Sequence, residues 1–497
     1  MDILLSAAGL IFEPNTLLII VAAAFFGVFI GSVPGLTATM ATALLVPLTF
    51  VMEPVPAIAA IVVTATTAIF AGDIPGCLLR IPGTPASAAY VDEAYRMRHK
   101  GEVEAALGAS LSCSVIGGII GAAVLALTAP WLAAFALNFS SFEYFWLSVL
   151  GLSCAVVVSR APLPKAFLSL LLGLFLTTIG IDLVRGFPRF TFGQPDLTGG
   201  INIIPALIGM FAISEIMRKA AGDVQGSALM GIAAPRPLLP AIWPTLRRYR
   251  VNVVRGGMIG GLIGALPGAG ADIAAWISFA VGRRFSREPE KYGSGHVEGI
   301  VDGASANNSS VAGAYIPAMV FGIPGDTITA IVIGVLMIKG LTPGPMIFLQ
   351  QTELVYAIFI VFFLANILLF GVGALAIRLS RFVVTVPPGN LYPVILLFCI
   401  VGAYAVNNSV FDVYVMLALG VIGFLMEEND FPIAPCILGL VLGGIVEQNL
   451  VASMIRAQGD LLYFFHRPIA AVLGVLAILV WTAPLLLWAW RCRRVQA

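Results

Sequence analysis

Apolar runs follow one another along this chain, parted by short polar stretches; the plainest cover 16–31, 36–52, 104–128, 143–158, 165–181, 201–217, 256–266, 271–282 and 468–490. Runs near 20 apolar residues predict transmembrane helices. Several of these are short, and Pro-Gly steps interrupt them at Pro34-Gly35 and Pro267-Gly268. Irregular backbone survives at membrane depth only inside protein or beside a water-filled cavity. The pattern predicts an all-α polytopic membrane protein with re-entrant or broken-helix hairpins and roughly 11–14 membrane segments.

Composition sharpens this. Hydrophobic residues make up 59% of the 497 and charged residues 11%, against roughly 25% charged in soluble domains. The 52 glycines and 31 prolines demand broken helices rather than a plain bundle, which already points towards transport. A net charge of +1 gives no sign of a nucleic-acid partner. The six cysteines show no CxxC spacing, and neither HExxH nor GxxxxGK[ST] occurs, so the common signatures of zinc hydrolases and P-loop pumps are missing. No nucleophile with a base is visible in a span, so an enzyme is not expected. Neither cofactor nor resident metal is expected, and the energy source is an ion gradient or another subunit.

Arginine and lysine positions predict the topology. No basic residue precedes Arg80, which places the amino terminus and the Glu53–Pro56 turn outside. With only Asp2 and Glu13 charged before the first apolar run, the start reads as a membrane element rather than a signal peptide. Arg96, Arg98 and Lys100, the seven basic residues of 218–255, and Arg491, Arg493 and Arg494 are expected in the cytoplasm.

An internal repeat organises these segments. GVFIGSVPGLTAT (27–39) matches GGLIGALPGAGAD (260–272), and AGDIPGCLLRIPGTP (71–85) matches AGAYIPAMVFGIPGD (312–326). A weaker match sets IPALIG (204–209) beside APCILG (434–439). The expected organisation is a first repeat over 1–217, with a hairpin at 16–52, a broken-helix region at 55–90 and spans through 104–217. A cytoplasmic loop at 218–255, a second repeat at 256–449, and an extra span with a basic tail at 450–497 follow. The first repeat has an odd number of net crossings, so the second is expected inverted, an arrangement typical of secondary transporters with a site at the repeat interface.

Broken helices expose N–H groups at one half-helix end and carbonyls at the other. The first suits a carboxylate and the second, with hydroxyls, a sodium ion. Candidate residues beside the breaks are Ser32, Pro34, Gly35, Thr37 and Thr39, then Thr66, Thr67, Gly83 and Thr84. Their second-repeat counterparts are Pro267, Gly268, Gly270 and Asp272, then Asn307, Asn308, Ser309 and Ser310, and finally Gly325, Asp326 and Thr327. Thr66 and Thr67 align with Asn307 and Asn308. A plainer reading is that small polar residues merely let helices approach, but a run such as SANNSS in an apolar setting needs polar company. Asp73, Asp272 and Asp326 are intramembrane carboxylates and hence candidates for holding sodium or taking up a proton, with capping the plainer role; for Asp326, capping of the next half-helix and ion binding stay equally open. Arg185 and Arg189 either attract an anionic substrate or dock a partner, or simply pair with Asp182 and Asp196. His296 is expected in a loop without a role.

The motifs IGSVPGLTAT, RIPGTPASAA, RFTFGQPDLTGGINIIPALIGMFAISE, IGALPGAGADIAAW, DGASANNSSVAGAYIPAMVFGIPGDTITA and ILGLVLGGIVEQN together resemble the large permease subunit of the tripartite tricarboxylate transporters. The resemblance spans essentially the whole chain. It implies a bacterial inner-membrane permease working with a small four-helix membrane subunit and a periplasmic solute-binding protein that delivers an organic anion. It also implies a secondary transporter driven by a cation gradient, sodium above all, with elevator-like movement. The Pro34-Gly35 and Pro267-Gly268 breaks, with Thr64–Thr67 and Asn307–Ser310, would carry the site. An anion channel is the alternative.

Overall fold

A computed structural model describes residues 2–159, 161–182, 186–221, 238–267, 270–383 and 388–495, apart from some side chains near helix ends, that of Asp272 among them. Helix accounts for 81% of the chain. The order begins α1 (Asp2–Ile11), α2 (Pro14–Ser32), α3 (Ala38–Thr49), α4 (Pro54–Ala71), α5 (Asp73–Leu79), α6 (Val91–His99) and α7 (Val103–Ala136). Next come α8 (Ser141–Val158) and α9 (Leu163–Thr177), then α10 (Ile203–Leu207), which runs through a π-helical turn at Ile208–Ile213 into α11 (Ser214–Ala221). The remainder is α12 (Leu238–Arg248), α13 (Arg250–Gly264), α14 (Gly270–Phe285), α15 (Val297–Phe321), α16 (Thr327–Ile338), α17 (Ile347–Gln350), α18 (Thr352–Val383), α19 (Pro388–Asn407), α20 (Val410–Glu428), α21 (Ile433–Arg456) and α22 (Pro468–Val495).

Six segments among the described residues are long and apolar enough to cross a membrane: Pro14–Ser32, Pro54–Leu79, Val103–Ala136, Thr352–Ser380, Val410–Glu428 and Ile433–Arg456. Shorter apolar helices, such as α3, α9 and α16, accompany them. Large apolar side chains stand exposed along several of these helices, including Leu18, Phe25, Leu127, Trp131 and Leu397. In water such a surface would aggregate; against lipid it is the expected outer face. The chain is therefore an all-α, multi-pass membrane protein.

Prolines act differently according to position. Pro14 and Pro54 open α2 and α4, where a missing N–H costs nothing. Pro34 stops α2 by removing a donor and holding Val33 extended (φ −77°, ψ 124°). Pro75 lies in the first turn of α5 and is tolerated there, so the interruptions fall at Gly72 and at left-handed Arg80 (φ 63°) instead. α15 likewise continues past Pro317 and ends only at left-handed Gly322 (φ 69°).

The chain forms two compact units. The first comprises Met1–Ala133, Ile204–Leu266 and Gly270–Phe424. Its centre is made of α4 and α15, both buried almost end to end. Glycines bring neighbouring helices into backbone contact with them. A Cβ on Gly31 would lie 2.5 Å from the Ala68 carbonyl oxygen, and one on Gly264 would lie 2.5 Å from that of Ser310. Gly27 meets Thr64 in the same way, and Gly260 meets Ala306. α2 thus lies on α4 as α13 lies on α15. These contacts pair residues 242 apart, as Pro75 and Pro317 are, and so set Thr66 opposite Asn308 and Thr67 opposite Ser309, one residue away from the sequence alignment of the polar clusters.

The second unit comprises Ala134–Ile203, Pro267–Ala269 and Leu425–Ala497. Gly439 on α21 brings its backbone against Leu170 of α9, where a Cβ would stand 2.7 Å from the carbonyl oxygen. Phe142, Ala457, Phe464 and Ala470 form a buried apolar cluster there, with Trp146 Nε1 donating to the Phe464 carbonyl at 3.1 Å. A two-stranded antiparallel ribbon, β1 (Gly180–Ile181) with β2 (Pro188–Arg189), pairs Gly180 with Arg189.

Candidate functional site

The first break is built from Val33 to Thr37. Gly35 takes φ 85°, which lets the chain turn, and Thr37 caps α3 by accepting the Met40 N–H at 3.2 Å. A second break, whose repeat counterpart is 80–84 rather than 33–37, runs from Gly322 to Asp326. Gly325 packs on Ala314, whose Cα would stand 2.8 Å from an added Cβ, and Asp326 caps α16. Its Oδ1 accepts the Thr329 N–H and hydroxyl, both at 2.7 Å, while its own N–H donates to Thr329 Oγ1 at 2.9 Å. Of the two roles open for Asp326, this geometry is that of a cap.

The two capped N-termini meet. Thr39, in the first turn of α3, and Thr327, the first residue of α16, bring their hydroxyl oxygens within 3.1 Å. Each helix start presents N–H groups that its own ladder leaves unsatisfied, together with partial positive charge. Two buried hydroxyls belong to the same segments and have no hydrogen-bond partner: Ser32 Oγ, just before the first break, and Tyr315 OH, within electrostatic reach of Asp326. A buried polar atom without a partner costs roughly 1–3 kcal/mol, so the segments that lead into these two breaks carry hydroxyls free to meet a polar ligand.

The other sequence candidates divide. Thr66 and Thr67 turn their hydroxyls back to the Val62 and Val63 carbonyls, 2.8 Å each, and Thr64 bonds the Ala23 carbonyl of α2 at 3.2 Å. Gly83 packs its Cα on Gly72, and Thr84 exchanges hydrogen bonds with Ser87 at 3.0 and 3.1 Å. Asn307 donates to Tyr90 OH at 3.0 Å. Asn308 donates to the Ser114 carbonyl of α7 at 3.0 Å and to Asn366 Oδ1 of α18 at 2.8 Å. Ser309 donates to the Gly257 carbonyl at 2.6 Å, and Ser310 to that of Asn307 at 2.7 Å. The SANNSS run is thus a hub that ties α15 to its neighbours. Pro267 precedes α14 in a turn, and Gly270 starts that helix, its N–H donating to Leu266 O at 3.2 Å. Gly268 and the Asp272 side chain lie outside the described residues.

A further polar cluster surrounds the start of α15. Asp302 accepts from Arg255 and Tyr292, 2.7 Å each, and Glu93 of α6 accepts the N–H groups of Gly295 (2.7 Å), His296 (2.8 Å) and Gly293. His296 is the residue that precedes α15. Sequence reading missed Tyr90 and Asn366, whose partners Asn307 and Asn308 lie far along the chain, and Tyr315, whose hydroxyl has no partner among the described residues. In the second unit Arg189 pairs with Asp182 (3.6 Å) and with Glu447 (2.7 Å), while Arg185 lies outside the described residues.

An internal repeat with broken helices, two of whose N-termini are turned together inside a multi-pass membrane protein, defines the architecture of a membrane transport protein. The sequence pattern of the tripartite tricarboxylate transporter TctA family matches residues 17–438, and the chain belongs to that family. The family is one of transporters and not of enzymes, and it is the large subunit of a three-part system that implies a binding protein and a small subunit. It is 33% identical over 450 residues, 90% of this chain and 88% of the relative, to an uncharacterized 52.8 kDa protein in the TAR-I ttuC' 3'region of Agrobacterium vitis. An uncharacterized protein in the TAR-II ttuC' 3'region of the same organism is 34% identical over 206 residues, 41% of this chain and 85% of that relative. No solved structure matches the chain.

Proposed function

We propose that the chain is a secondary active carrier that imports an organic carboxylate, tri-, di- or aromatic, with carboxylate oxygens held by the N-termini of α3 and α16. The observation that carries this is the meeting of Thr39 and Thr327 at 3.1 Å, which turns two partial positive charges and a pair of hydroxyls to one place. Ser32 and Tyr315 supply hydroxyls in want of a partner. The anion arrives from a periplasmic solute-binding protein, and the small four-helix subunit completes the assembly in the bacterial inner membrane. The amino terminus lies outside and the carboxyl terminus in the cytoplasm. A cation gradient, sodium in the first instance, drives accumulation, and elevator-type movement of the two repeats gives alternating access.

Uptake of labelled citrate, with a panel of dicarboxylates and aromatic carboxylates, into proteoliposomes holding the chain and its two partner proteins tests this. The expected result is saturable accumulation that depends on an inward cation gradient. Flux that equilibrates without saturating would instead make the protein an anion channel.

A further inference from the structure

Asp73 opens α5 and is 4% exposed, enclosed by α4, α6 and α7. Its carboxylate accepts from Tyr90 OH at 2.9 and 3.0 Å and from Ser110 Oγ of α7, and Tyr90 in turn accepts from Asn307 of α15. No lysine, arginine or histidine forms an ion pair with it among the described residues. Beside it lies a cavity of about 10 Å³, lined also by Cys77, Ala106, Leu107 and Ile300. That is room for a single water. A carboxylate buried in hydrocarbon surroundings without a counter-charge carries a desolvation cost of several kcal/mol, which a proton removes. A hard metal cation normally takes six or more oxygens, and the side chains of this lining offer only those of Asp73, Tyr90 and Ser110.

We propose that Asp73 is an exchangeable proton site of this carrier, taking up one proton from one side of the membrane and releasing it to the other in each transport cycle. The inference rests on the carrier reading above and adds to its sodium gradient a proton, carried at this residue. Uptake forms one O–H bond on a carboxylate oxygen and cancels one negative charge; release reverses it, and no other bond changes. The acid then becomes a donor, so one of its present donors must turn away. Ser110 is free to do so, because a serine inside a helix has the carbonyl one turn back as a second acceptor. Tyr90 and Asn307 carry the change to α15, which runs on to the 322–326 break. Among the described residues the other titratable or charged groups nearby are Cys77, which lines the cavity, and Arg98 and Glu104, which act electrostatically on Cys77; Arg98 is engaged with the Leu78 carbonyl.

The test uses the full chain with its two partner proteins in proteoliposomes loaded with a pH-sensitive dye, and citrate with the same carboxylate panel outside. In the wild type, carboxylate entry should carry protons inward, and an acidic exterior should drive accumulation. Asp73→Asn mimics the protonated acid; carboxylate exchange should persist while proton movement and pH-driven accumulation are lost. Unchanged pH-driven accumulation in Asp73→Asn, or wild-type accumulation on a sodium gradient without proton movement, overturns the proposal. Wild-type vesicles that exchange no carboxylate would sink the carrier reading itself, and the proposal with it. Should Asp73→Asn fail to reach the membrane, Ser110→Ala decides: it should shift the pH profile of uptake, whereas a merely structural serine would change the amount of protein and leave the profile where it was.

Discussion

Asp326 offers the sharpest perturbation, because a cap and an ion ligand respond differently to the loss of its charge. Asp326→Ala removes the acceptor for the Thr329 N–H and hydroxyl, both held at 2.7 Å, and frays the first turn of α16. Loss of such a cap costs about 1–2 kcal/mol. If that turn must be ordered to face a carboxylate, apparent affinity should weaken by roughly 5- to 30-fold. Asp326→Asn keeps an oxygen in the same place, and asparagine caps about as well as aspartate. It also removes a negative charge from a helix start that is meant to receive an anion. Affinity in Asp326→Asn should therefore equal or exceed that of the wild type, with the same cation dependence. The assay is concentration-dependent uptake in proteoliposomes for the three proteins at matched reconstitution. An asparagine variant as damaged as the alanine one, or with an altered cation dependence, would refute the capping account and restore Asp326 as an ion ligand.

Three further outcomes follow from the packing and pairing. Asn308→Ala leaves the Ser114 carbonyl and the Asn366 side chain short of a buried partner, which costs about 1–3 kcal/mol for each group; thermal melting should fall, and a double-mutant cycle with Asn366→Ala should show coupling. Independent effects in that cycle would mean the two amides do not share their load. Gly31→Val and Gly264→Val each drive a side chain into a facing backbone carbonyl, so both should lower the yield of folded protein far more than Gly9→Val, where an added Cβ meets nothing within 4 Å; equal yields would contradict the close approach of the helices. Arg189→Ala breaks partly exposed ion pairs with Asp182 and Glu447, and pairs of this kind contribute about 0–1 kcal/mol; carboxylate affinity should stay put, and a marked loss would give Arg189 a part in anion capture.

The breaks after Ser32 and before Thr327 were legible in the sequence because proline and glycine act locally: one removes an N–H and the other permits a positive φ. Pro75, in the first turn of α5, and Pro317, inside the long and well-packed α15, leave their helices standing, which shows that a proline marks a break only by its position. The SANNSS run announced that it needed polar company but not whose. Tyr90, Ser114 and Asn366 come from other helices, and nothing in their own neighbourhoods marks them as partners. Thr66 and Thr67 looked like ligands by composition, yet a threonine in a helix satisfies itself on the carbonyl one turn back. The repeat register slipped by one at the polar clusters because side-chain likeness guided it, whereas Gly27, Gly31, Gly260 and Gly264 fix it through backbone contact.

The central claim is that the starts of α3 and α16 together hold a carboxylate. Equilibrium binding of labelled citrate, in competition with dicarboxylates and aromatic carboxylates, to purified wild-type protein and to the Thr39→Leu, Thr327→Leu double variant tests it most directly. The account predicts saturable binding of one of these anions in the wild type and its loss in the double variant at an unchanged melting temperature. Equal binding by the two proteins would place the carboxylate elsewhere and contradict the account.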